Sequence, residues 1–213
     1  MIERLFKVLI IGDGTVGKTS FVERYVSNRF RDDYKTTIGV DFALKVLSLN
    51  DDETIRLQLW DIGGQERYTS LTRVYYKDAS ACVIMFDVTM HKTFSSVMKW
   101  KNDLDSKVSL KDGSPLPCLL LANKCDLSQN RAVSSSDIQE LSQNNGFIGW
   151  SEISVKESSN ISESMMFLVE EILARNTLSG QPGSVADELT DSTGRITLTP
   201  NTSKSSGFCC QQS

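Results

Sequence analysis

Apolar stretches and helical patterns alternate along the chain as far as residue 175. Runs that are apolar, or that alternate between apolar and polar residues, predict six β-strands, at residues 5–11, 40–49, 54–61, 81–87, 117–123 and 151–154. Apolar residues spaced three or four apart predict helices between them, at residues 18–26, 71–76, 93–110, 136–144 and 162–175. The sequence NDD at residues 50–52 is typical of a hairpin turn, so the strands beside it are predicted to be antiparallel. The others should be parallel. The pattern predicts a three-layer α/β fold, a six-stranded mixed sheet with one antiparallel edge strand and helices on both faces.

The composition changes after Arg175. Residues 176–208 are rich in Ser, Thr and Gly and contain few large apolar side chains. Such a segment buries too little surface to offset its ordering entropy. We therefore predict a domain over residues 1–175 and a disordered tail over residues 176–213, with the adjacent Cys209 and Cys210 near its end.

Charge and cysteine usage narrow the class of protein. The formal net charge of −4 gives no global basic field, so we expect no nucleic-acid partner. Three of the five cysteines, Cys82, Cys118 and Cys125, lie in or beside apolar strands. This placement predicts reduced, buried thiols in a cytosolic protein.

A phosphate-binding loop follows the first predicted strand. Residues 12–19 read GDGTVGKT and lead into a helical pattern, the context that a G-x-x-x-x-G-K-[ST] motif requires. Gly12, Gly14 and Gly17 allow backbone conformations and close approaches that a Cβ would block. The exposed N–H groups and the helix N-terminus then face an anion. Lys18 is predicted to reach the β- and γ-phosphates, and Thr19 to give its hydroxyl to Mg²⁺.

Two further motifs supply groups for Mg²⁺ and the γ-phosphate. In the sequence WDIGGQE, at residues 60–66, Asp61 ends a strand beside the phosphate loop and is predicted to support Mg²⁺. Gly64 can bring a backbone N–H to the γ-phosphate, and Gln65 is placed to orient an attacking water. In TTIG, at residues 36–39, Thr37 can close over Mg²⁺ and the γ-phosphate as part of a mobile polar loop. Without the phosphate loop, each motif would be an ordinary turn.

The base is predicted to be guanine. Residues 123–126 read NKCD directly after an apolar strand, and Asp126 can accept hydrogen bonds from the N1–H and the exocyclic amine of guanine. Adenine lacks this donor pair, and sites built this way discriminate by roughly 10⁴–10⁵. Lys124 can pack over the base, and Asn123 can tie neighbouring loops together. The N–H of Val155, in the SVK sequence at residues 154–156, could meet the guanine carbonyl.

Together these motifs resemble the small GTPases of the Ras superfamily over about residues 5–175. Residues 38–42, 60–68 and 71–76, with the terminal cysteines, resemble the Rab family in particular. Further stretches resemble the Rab subgroup of lysosomes, lysosome-related organelles and the trans-Golgi; they are residues 40–47, 78–89, 104–107 with 117–127, and 146–150 with 154–157. The resemblance implies a P-loop GTPase fold and a GTP/GDP switch with Mg²⁺ as cofactor. It also implies slow GTP hydrolysis, stimulated by an activating protein, and recruitment of effectors to intracellular membranes to regulate vesicle trafficking.

The resemblance also assigns roles by position. It implies nucleotide-binding residues at Gly14, Thr15, Val16, Gly17, Lys18, Thr19, Ser20, Phe30, Tyr34, Thr37, Gly64, Asn123, Lys124, Asp126, Ser154, Val155 and Lys156. Among them, Phe30 would stack edge-on against guanine and Tyr34 would cover the phosphates. Metal-binding residues would be Thr19, Thr37 and Asp61, and the catalytic residue would be Gln65. Phe42, Trp60 and Tyr75 match the aromatic triad that Rab proteins present to effectors, although core packing would also account for them.

Membrane attachment and regulation are implied in the same way. Cys209 and Cys210 match a double prenylation signal, and because the tail lacks a basic patch, both lipid chains would be needed. The implied partners are effectors, an exchange factor, a GTPase-activating protein, a Rab escort protein and a GDP-dissociation inhibitor that maintains a cytosolic pool. Thr69 and Ser70 correspond to target hydroxyls of a leucine-rich-repeat kinase, or are simply solvated.

The sequence departs from the family pattern at two positions. Gly63 and Val155 both stand where the family usually has alanine. Gly63 adds backbone freedom, which we expect to slow catalytic ordering or to ease switching. Two other functional classes remain open. An ATP-using P-loop enzyme would lack the NKxD motif and need a lid segment, whereas a non-hydrolysing scaffold would bind nucleotide without turnover.

Overall fold

A mixed sheet of six strands lies at the centre of the computed structural model, which describes residues 2–30, 37, 39–49, 53–64 and 72–177. The strands are β1 (Ile2–Ile11), β2 (Val40–Ser48), β3 (Glu53–Ile62), β4 (Ala81–Asp87), β5 (Cys118–Asn123) and β6 (Gly149–Glu152). Their order across the sheet is β2-β3-β1-β4-β5-β6. Only the β2–β3 pair is antiparallel within this sheet, and the other four neighbouring pairs are parallel. The predicted fold class is therefore confirmed.

Helices cover both faces of the sheet. They are α1 (Lys18–Ser27), α2 (Thr72–Tyr76), α3 (His91–Ser95), α4 (Val97–Lys107), α5 (Ser135–Asn144) and α6 (Ile161–Thr177), with a 3-10 turn at Ser128–Asn130. Every residue of β4 and β5 is buried, as expected for central strands with helices on both sides. One apolar cluster joins the sheet to α1 and α6, and a second joins it to α4 and α5. Each fully buried large side chain in them contributes about 1.5–3 kcal/mol.

Three details differ from the sequence predictions. The helix predicted over 93–110 is two helices, α3 and α4, separated at Ser96. The hydroxyl of Thr93 holds α3 at the end of β4, because it accepts from the Asp87 N–H (3.0 Å) and donates to the Met90 carbonyl (2.8 Å). Strand β6 ends two residues before the predicted boundary, since Ser154 pairs with Ser159 instead. Cys125 is half-buried rather than buried, whereas Cys82 and Cys118 are fully buried free thiols.

The topology brings the motifs together. The carboxyl ends of the parallel strands point to the same edge of the sheet, where α/β proteins bind their ligands. The phosphate loop follows β1, the DIGG sequence overlaps the end of β3, the NKCD sequence overlaps the end of β5, and the SVK sequence follows β6. Within the described ranges, no helix combines the length and apolar character needed to span a membrane.

Candidate functional site

Two glycines shape the phosphate loop. Gly12 (φ +144°) and Gly17 (φ +98°) adopt conformations that other residues rarely take. A Cβ on Gly12 would lie 2.2 Å from the carbonyl oxygen of Met85, and one on Gly17 would lie 2.5 Å from Nδ2 of Asn123. The loop can therefore fold against β4 and β5 only with glycine at both positions. Gly14 differs, because none of the described residues lies within 4 Å of its Cβ position.

The other predicted loop residues lie around the start of α1. Thr15 is exposed and left-handed (φ +67°), Val16 is fully buried, and Ser20 is half-buried in the first turn of the helix. Gly17 occupies the N-cap, so the N–H groups of the first turn face the loop without a capping side chain. This arrangement suits an anion held by backbone N–H groups and the helix dipole.

Lys18 is a buried cation aimed along the loop. Its side chain is only 6% exposed, and Nζ donates to the carbonyl oxygens of Gly12 and Asp13, both at 2.8 Å. Burial lowers the pKa of Lys18 to about 8, and the carboxylates of Asp61 and Asp13 oppose this shift. The ammonium therefore lacks full compensation from the protein, which makes it a strong attractor for phosphate.

An oxygen cluster lies beside it, formed by Thr19, Thr37 and Asp61. The hydroxyl of Thr19 donates to Oδ2 of Asp61 (2.5 Å) and lies 2.6 Å from the hydroxyl of Thr37. Because the single proton of Thr19 is given to Asp61, Thr37 is the donor to Thr19.

The Asp61 carboxylate retains an unused oxygen. The residue is 2% exposed, and Oδ1 is buried without a hydrogen-bond partner in the described structure. Burial raises the pKa of Asp61, despite the opposing Thr19 hydrogen bond and the Lys18 charge. A buried carboxylate oxygen without a partner is costly unless a cation or donor meets it. Together with the hydroxyls of Thr19 and Thr37, it fits Mg²⁺, which prefers oxygen ligands.

The segment after β3 contacts the phosphate loop through Gly64. A Cβ on Gly64 would lie 2.2 Å from the backbone nitrogen of Gly14 and 2.7 Å from the carbonyl carbon of Asp13. The preceding residue, Gly63, donates its N–H to the Gly39 carbonyl oxygen at 2.8 Å. The segment therefore contacts both the phosphate loop and the chain between Thr37 and β2. Several predicted site residues lie outside the described residues: Tyr34, Gln65, Thr69, Ser70, Cys209 and Cys210.

On the side of the phosphate loop away from Asp61, Asn123 bonds both the phosphate loop and the loop that follows β6. Its Nδ2 donates to the Val16 carbonyl oxygen (2.8 Å), and its Oδ1 accepts from the Val155 N–H (3.2 Å). The predicted tying of neighbouring loops is thus seen in the structure. The Val155 N–H, which we expect to meet a guanine carbonyl, has Asn123 as a partner here.

The remaining predicted base-binding side chains are also held in place. Ser154 donates its hydroxyl to Oδ1 of Asp126 at 2.6 Å, and the same hydroxyl accepts from the Glu157 N–H at 3.0 Å. Lys124 adopts a left-handed conformation (φ +67°) and pairs its Nζ with Oδ2 of the buried Asp87 at 2.6 Å. This pair fixes the direction of the lysine stem.

The three aromatic residues predicted to contact effectors differ in exposure. Phe42 on the edge strand β2 is 56% exposed and packs edge-on against Trp60, with 4.4 Å between ring centroids. Trp60 and Tyr75 are half-buried and pack against the apolar cluster beneath α4. The Nζ of Lys7 lies 3.5 Å from the centroid of the Trp60 ring. The core-packing explanation therefore applies in part to Trp60 and Tyr75, and least to Phe42.

Sequence reasoning missed two residues that contact this site. Trp100 on α4 donates its indole N–H to Oδ1 of Asp13 at 2.8 Å, and Arg24 on α1 donates to the carbonyl oxygens of Val155 and Lys156. Both look like ordinary helix residues in the sequence. Their partners lie 87 to 132 positions away, so no local spacing could have found them.

Comparison with known proteins agrees with this geometry. Residues 7–174 match the model of the Ras family. The chain is 55% identical to the Ras-related protein Rab-7L1 of Homo sapiens over 208 residues, which cover 98% of each chain. It is 61% identical to Rab-7L1 of Rattus norvegicus over 171 residues, covering 80% of this chain and 83% of the relative. Identity to Rab-32 of Mus musculus is 48% over 208 residues, covering 98% of this chain and 91% of the relative.

These similarities confirm the predicted family, activity and cofactor. Proteins of this family bind GTP and GDP with Mg²⁺, hydrolyse GTP, and act as switches in vesicle trafficking at membranes. They work with effectors, exchange factors, activating proteins and GDP-dissociation inhibitors. The similarity to Rab-7L1 and Rab-32 also agrees with the subgroup that the sequence stretches predict. The chain is therefore a small GTPase of the Rab family, within the Ras superfamily.

Proposed function

We propose that the carboxyl edge of the sheet is the GTP site of this switch, with its residues in the roles that the motifs predict. The observation that carries this assignment is the buried Asp61 oxygen without a partner, beside the hydroxyls of Thr19 and Thr37. When bound there, Mg²⁺ would neutralise phosphate charge. Lys18, which is buried and incompletely compensated, would bind the β- and γ-phosphates. Gln65 would orient the attacking water.

Switching would depend on the segments that meet at the phosphates. Thr37 is positioned by its hydrogen bond to Thr19, and Gly64 contacts the phosphate loop itself. With GTP bound, the Thr37 hydroxyl would turn to Mg²⁺ and the Gly64 N–H to the γ-phosphate. Loss of that phosphate would release both segments.

Guanine would be recognised on the other side of the phosphate loop from Asp61, by the loops that follow β5 and β6. Asp126, already oriented by Ser154, would accept the two guanine donors, and Lys124 would cover the base. Asn123 would hold these loops on the phosphate loop through Val16. Phe30 is half-buried and would contact guanine edge-on, with Tyr34 over the phosphates.

Two measurements test the site. The nucleotide that copurifies with the protein should be GDP or GTP, and bound adenine would reject the guanine assignment. Single-turnover hydrolysis of GTP should then be slower in Gln65→Leu than in the wild type. Equal rates in the two proteins would favour the non-hydrolysing scaffold.

We further propose that effectors bind Phe42 together with the exposed edges of Trp60 and Tyr75. The support is the exposure of the Phe42 ring beside Trp60 at the start of β2, close to Thr37. A Phe42→Ala variant should retain GTP hydrolysis and lose capture of GTP-dependent partners. If partner binding is unchanged, the surface lies elsewhere.

Membrane attachment is proposed to use the tail over residues 176–213, beyond a GTPase domain over residues 1–175. Prenyl groups on both Cys209 and Cys210 would anchor it, after presentation by a Rab escort protein. Lysosome-related organelles and the trans-Golgi are the proposed compartments, on the basis of the subgroup resemblance. Imaging the tagged protein beside a variant with both cysteines changed to serine tests this, and unchanged membrane localisation would refute it.

Phosphorylation at Thr69 or Ser70 is a separate proposal. Phosphate beside the effector surface would add negative charge and change partner choice. Incubation with a leucine-rich-repeat kinase, followed by mass spectrometry, should label one of these residues. Absence of label on both would reject the proposal.

A further inference from the structure

Arg24 links α1 to the loop that follows β6. Its Nε donates to the carbonyl oxygen of Val155 and one terminal nitrogen donates to that of Lys156, both at 3.0 Å. The second terminal nitrogen donates to the carbonyl oxygen of Asn28 at 3.3 Å. The guanidinium therefore bonds three backbone carbonyls in two distant parts of the chain.

The same side chain is next to Phe30. The guanidinium carbon lies 5.5 Å from the centroid of the Phe30 ring, within the range of a cation–π contact. The backbone carbonyl of Arg24 also accepts the N–H of Asn28 (2.9 Å), and Asn28 ends α1 in a left-handed conformation. Arg24 thus helps to set where the chain leaves the helix on its way to Phe30.

We propose that Arg24 is the positioning residue of the guanine end, holding the loop at residues 154–156 and Phe30 at a fixed separation. It would act through these groups rather than by touching the nucleotide. The inference rests on the proposed function, which assigns this loop and Phe30 to the base.

Arginine suits this task better than lysine. Its planar fork presents several donors in fixed directions, and one side chain can therefore bond adjacent carbonyls of a loop while its face contacts a ring. A lysine at this position has a compact ammonium on a flexible stem, so its donors would not reach both carbonyls from fixed directions while a planar face contacts the ring. Because residues 155 and 156 present carbonyl oxygens, only a donor side chain can bridge them to α1.

The test compares Arg24→Gln and Arg24→Lys with a matched control, Lys45→Gln. Lys45 lies on β2 and places its ammonium against α1, where its contacts are the Val26 carbonyl oxygen (3.5 Å) and the Tyr25 ring (5.3 Å). Competition binding in the full chain would give the dissociation constants of GDP and ADP with Mg²⁺ present. ADP serves as the probe for the phosphate side, because it lacks the guanine contacts.

We expect Arg24→Gln to weaken GDP binding about tenfold and to change ADP binding less than twofold. Arg24→Lys should weaken GDP binding about threefold, and Lys45→Gln should leave both constants unchanged. A role in general stability would not produce this base-selective pattern.

Two outcomes would overturn the proposal. One is an equal loss of GDP and ADP affinity in Arg24→Gln, and the other is a GDP constant in Arg24→Lys that equals the wild-type value. The lysine variant keeps the charge and most of the stem, so it decides the matter if the glutamine variant does not fold. A wild-type protein without preference for GDP over ADP would instead contradict the proposed guanine site itself.

Discussion

The two ends of the site are built in opposite ways. At the base end, the polar side chains have partners within the protein: Asn123 donates to the Val16 carbonyl oxygen of the phosphate loop, Ser154 donates to Asp126, and Lys124 pairs with Asp87. At the phosphate end, burial penalises the charges themselves. It lowers the pKa of Lys18 to about 8 and raises the pKa of Asp61, and one Asp61 oxygen has no partner in the described structure.

Because of this difference, the base end is preorganised for selecting the base, whereas the phosphate end has unmet charges that favour binding of the phosphates. The protein completes the base end by itself, so a base of the right pattern meets a preformed surface. The phosphate end is electrostatically incomplete, and phosphate oxygens together with Mg²⁺ would supply the missing partners. A ligand that binds only the folded protein stabilises it, by a free energy that grows with the logarithm of the ligand concentration divided by its dissociation constant. The first end is suited to select the nucleotide and the second to hold it.

The largest expected effect comes from Asp126→Asn, which changes the guanine-binding carboxylate at the base end. The amide can still accept from Ser154, but it presents a donor group to the two donors of guanine. We expect the preference for GDP over ADP to fall by up to about 10⁴-fold. Competition binding measures the ratio, and Ser154→Ala, which keeps the carboxylate, should change it far less. An unchanged ratio in Asp126→Asn would show that guanine is recognised elsewhere.

Removing the Lys18 charge at the phosphate end should give the next largest effect. Lys18→Met should weaken GDP and ADP alike, by roughly 10²- to 10³-fold, because the phosphates lose a buried cation. The nucleotide-free variant should unfold at no lower temperature than the wild type, because the buried charge is unfavourable without ligand. Calorimetry checks both statements. A loss confined to GDP would contradict the division between the two ends.

The Lys18 pKa also predicts how binding depends on pH. Its folded value of about 8 lies below the ordinary 10.5, so the unfolded chain binds more protons between these values. The free protein should therefore gain stability from this group as pH rises from about 8 to 10.5. GDP binding needs the protonated ammonium and should weaken by up to about tenfold per pH unit above 8.

Titration of GDP affinity between pH 7 and 9.5 measures this dependence. Lys18→Met is the control that separates the lysine from ionisation of the base, and its residual slope should be smaller. Identical slopes in the two proteins would mean that Lys18 stays charged throughout.

A smaller effect is expected from the missed contact of Trp100. Trp100→Phe keeps an aromatic ring but removes the N–H that bonds Asp13, so GDP release should become roughly five- to tenfold faster. Trp150→Phe removes the same atoms from the same apolar cluster at the far edge of the sheet. If both variants release GDP equally fast, packing rather than the Asp13 bond is responsible.

The sequence predicts the features that depend on local patterns and misses those that depend on tertiary contacts. Strands β4 and β5 are continuous apolar runs, so their positions follow from burial on both faces, and their carboxyl ends then bring the motifs together. The contacts of Trp100 and Arg24 depend on tertiary placement and leave no periodicity or spacing. The predicted end of β6 is wrong for another reason, because the Ser154–Ser159 bridge closes a local turn that the apolar pattern does not show. Local patterns predict the groups that are proposed to touch the ligand, but not the residues that hold those groups.

The smallest expected effect concerns the two departures from the family pattern, which lie at opposite ends of the site. Gly63 is buried and donates its N–H to the Gly39 carbonyl oxygen at the phosphate end, so its backbone freedom bears on how the two segments order. Gly63→Ala should change single-turnover GTP hydrolysis or nucleotide exchange by about two- to fivefold, the value of one glycine's flexibility. Val155→Ala restores the family residue at the base end and should change neither rate, because the N–H bonded to Asn123 is retained. Unchanged hydrolysis and exchange in Gly63→Ala would end the hypothesis. An equal change in Val155→Ala would mean that the base end also limits switching, and that the two ends are less independent than their hydrogen bonds indicate.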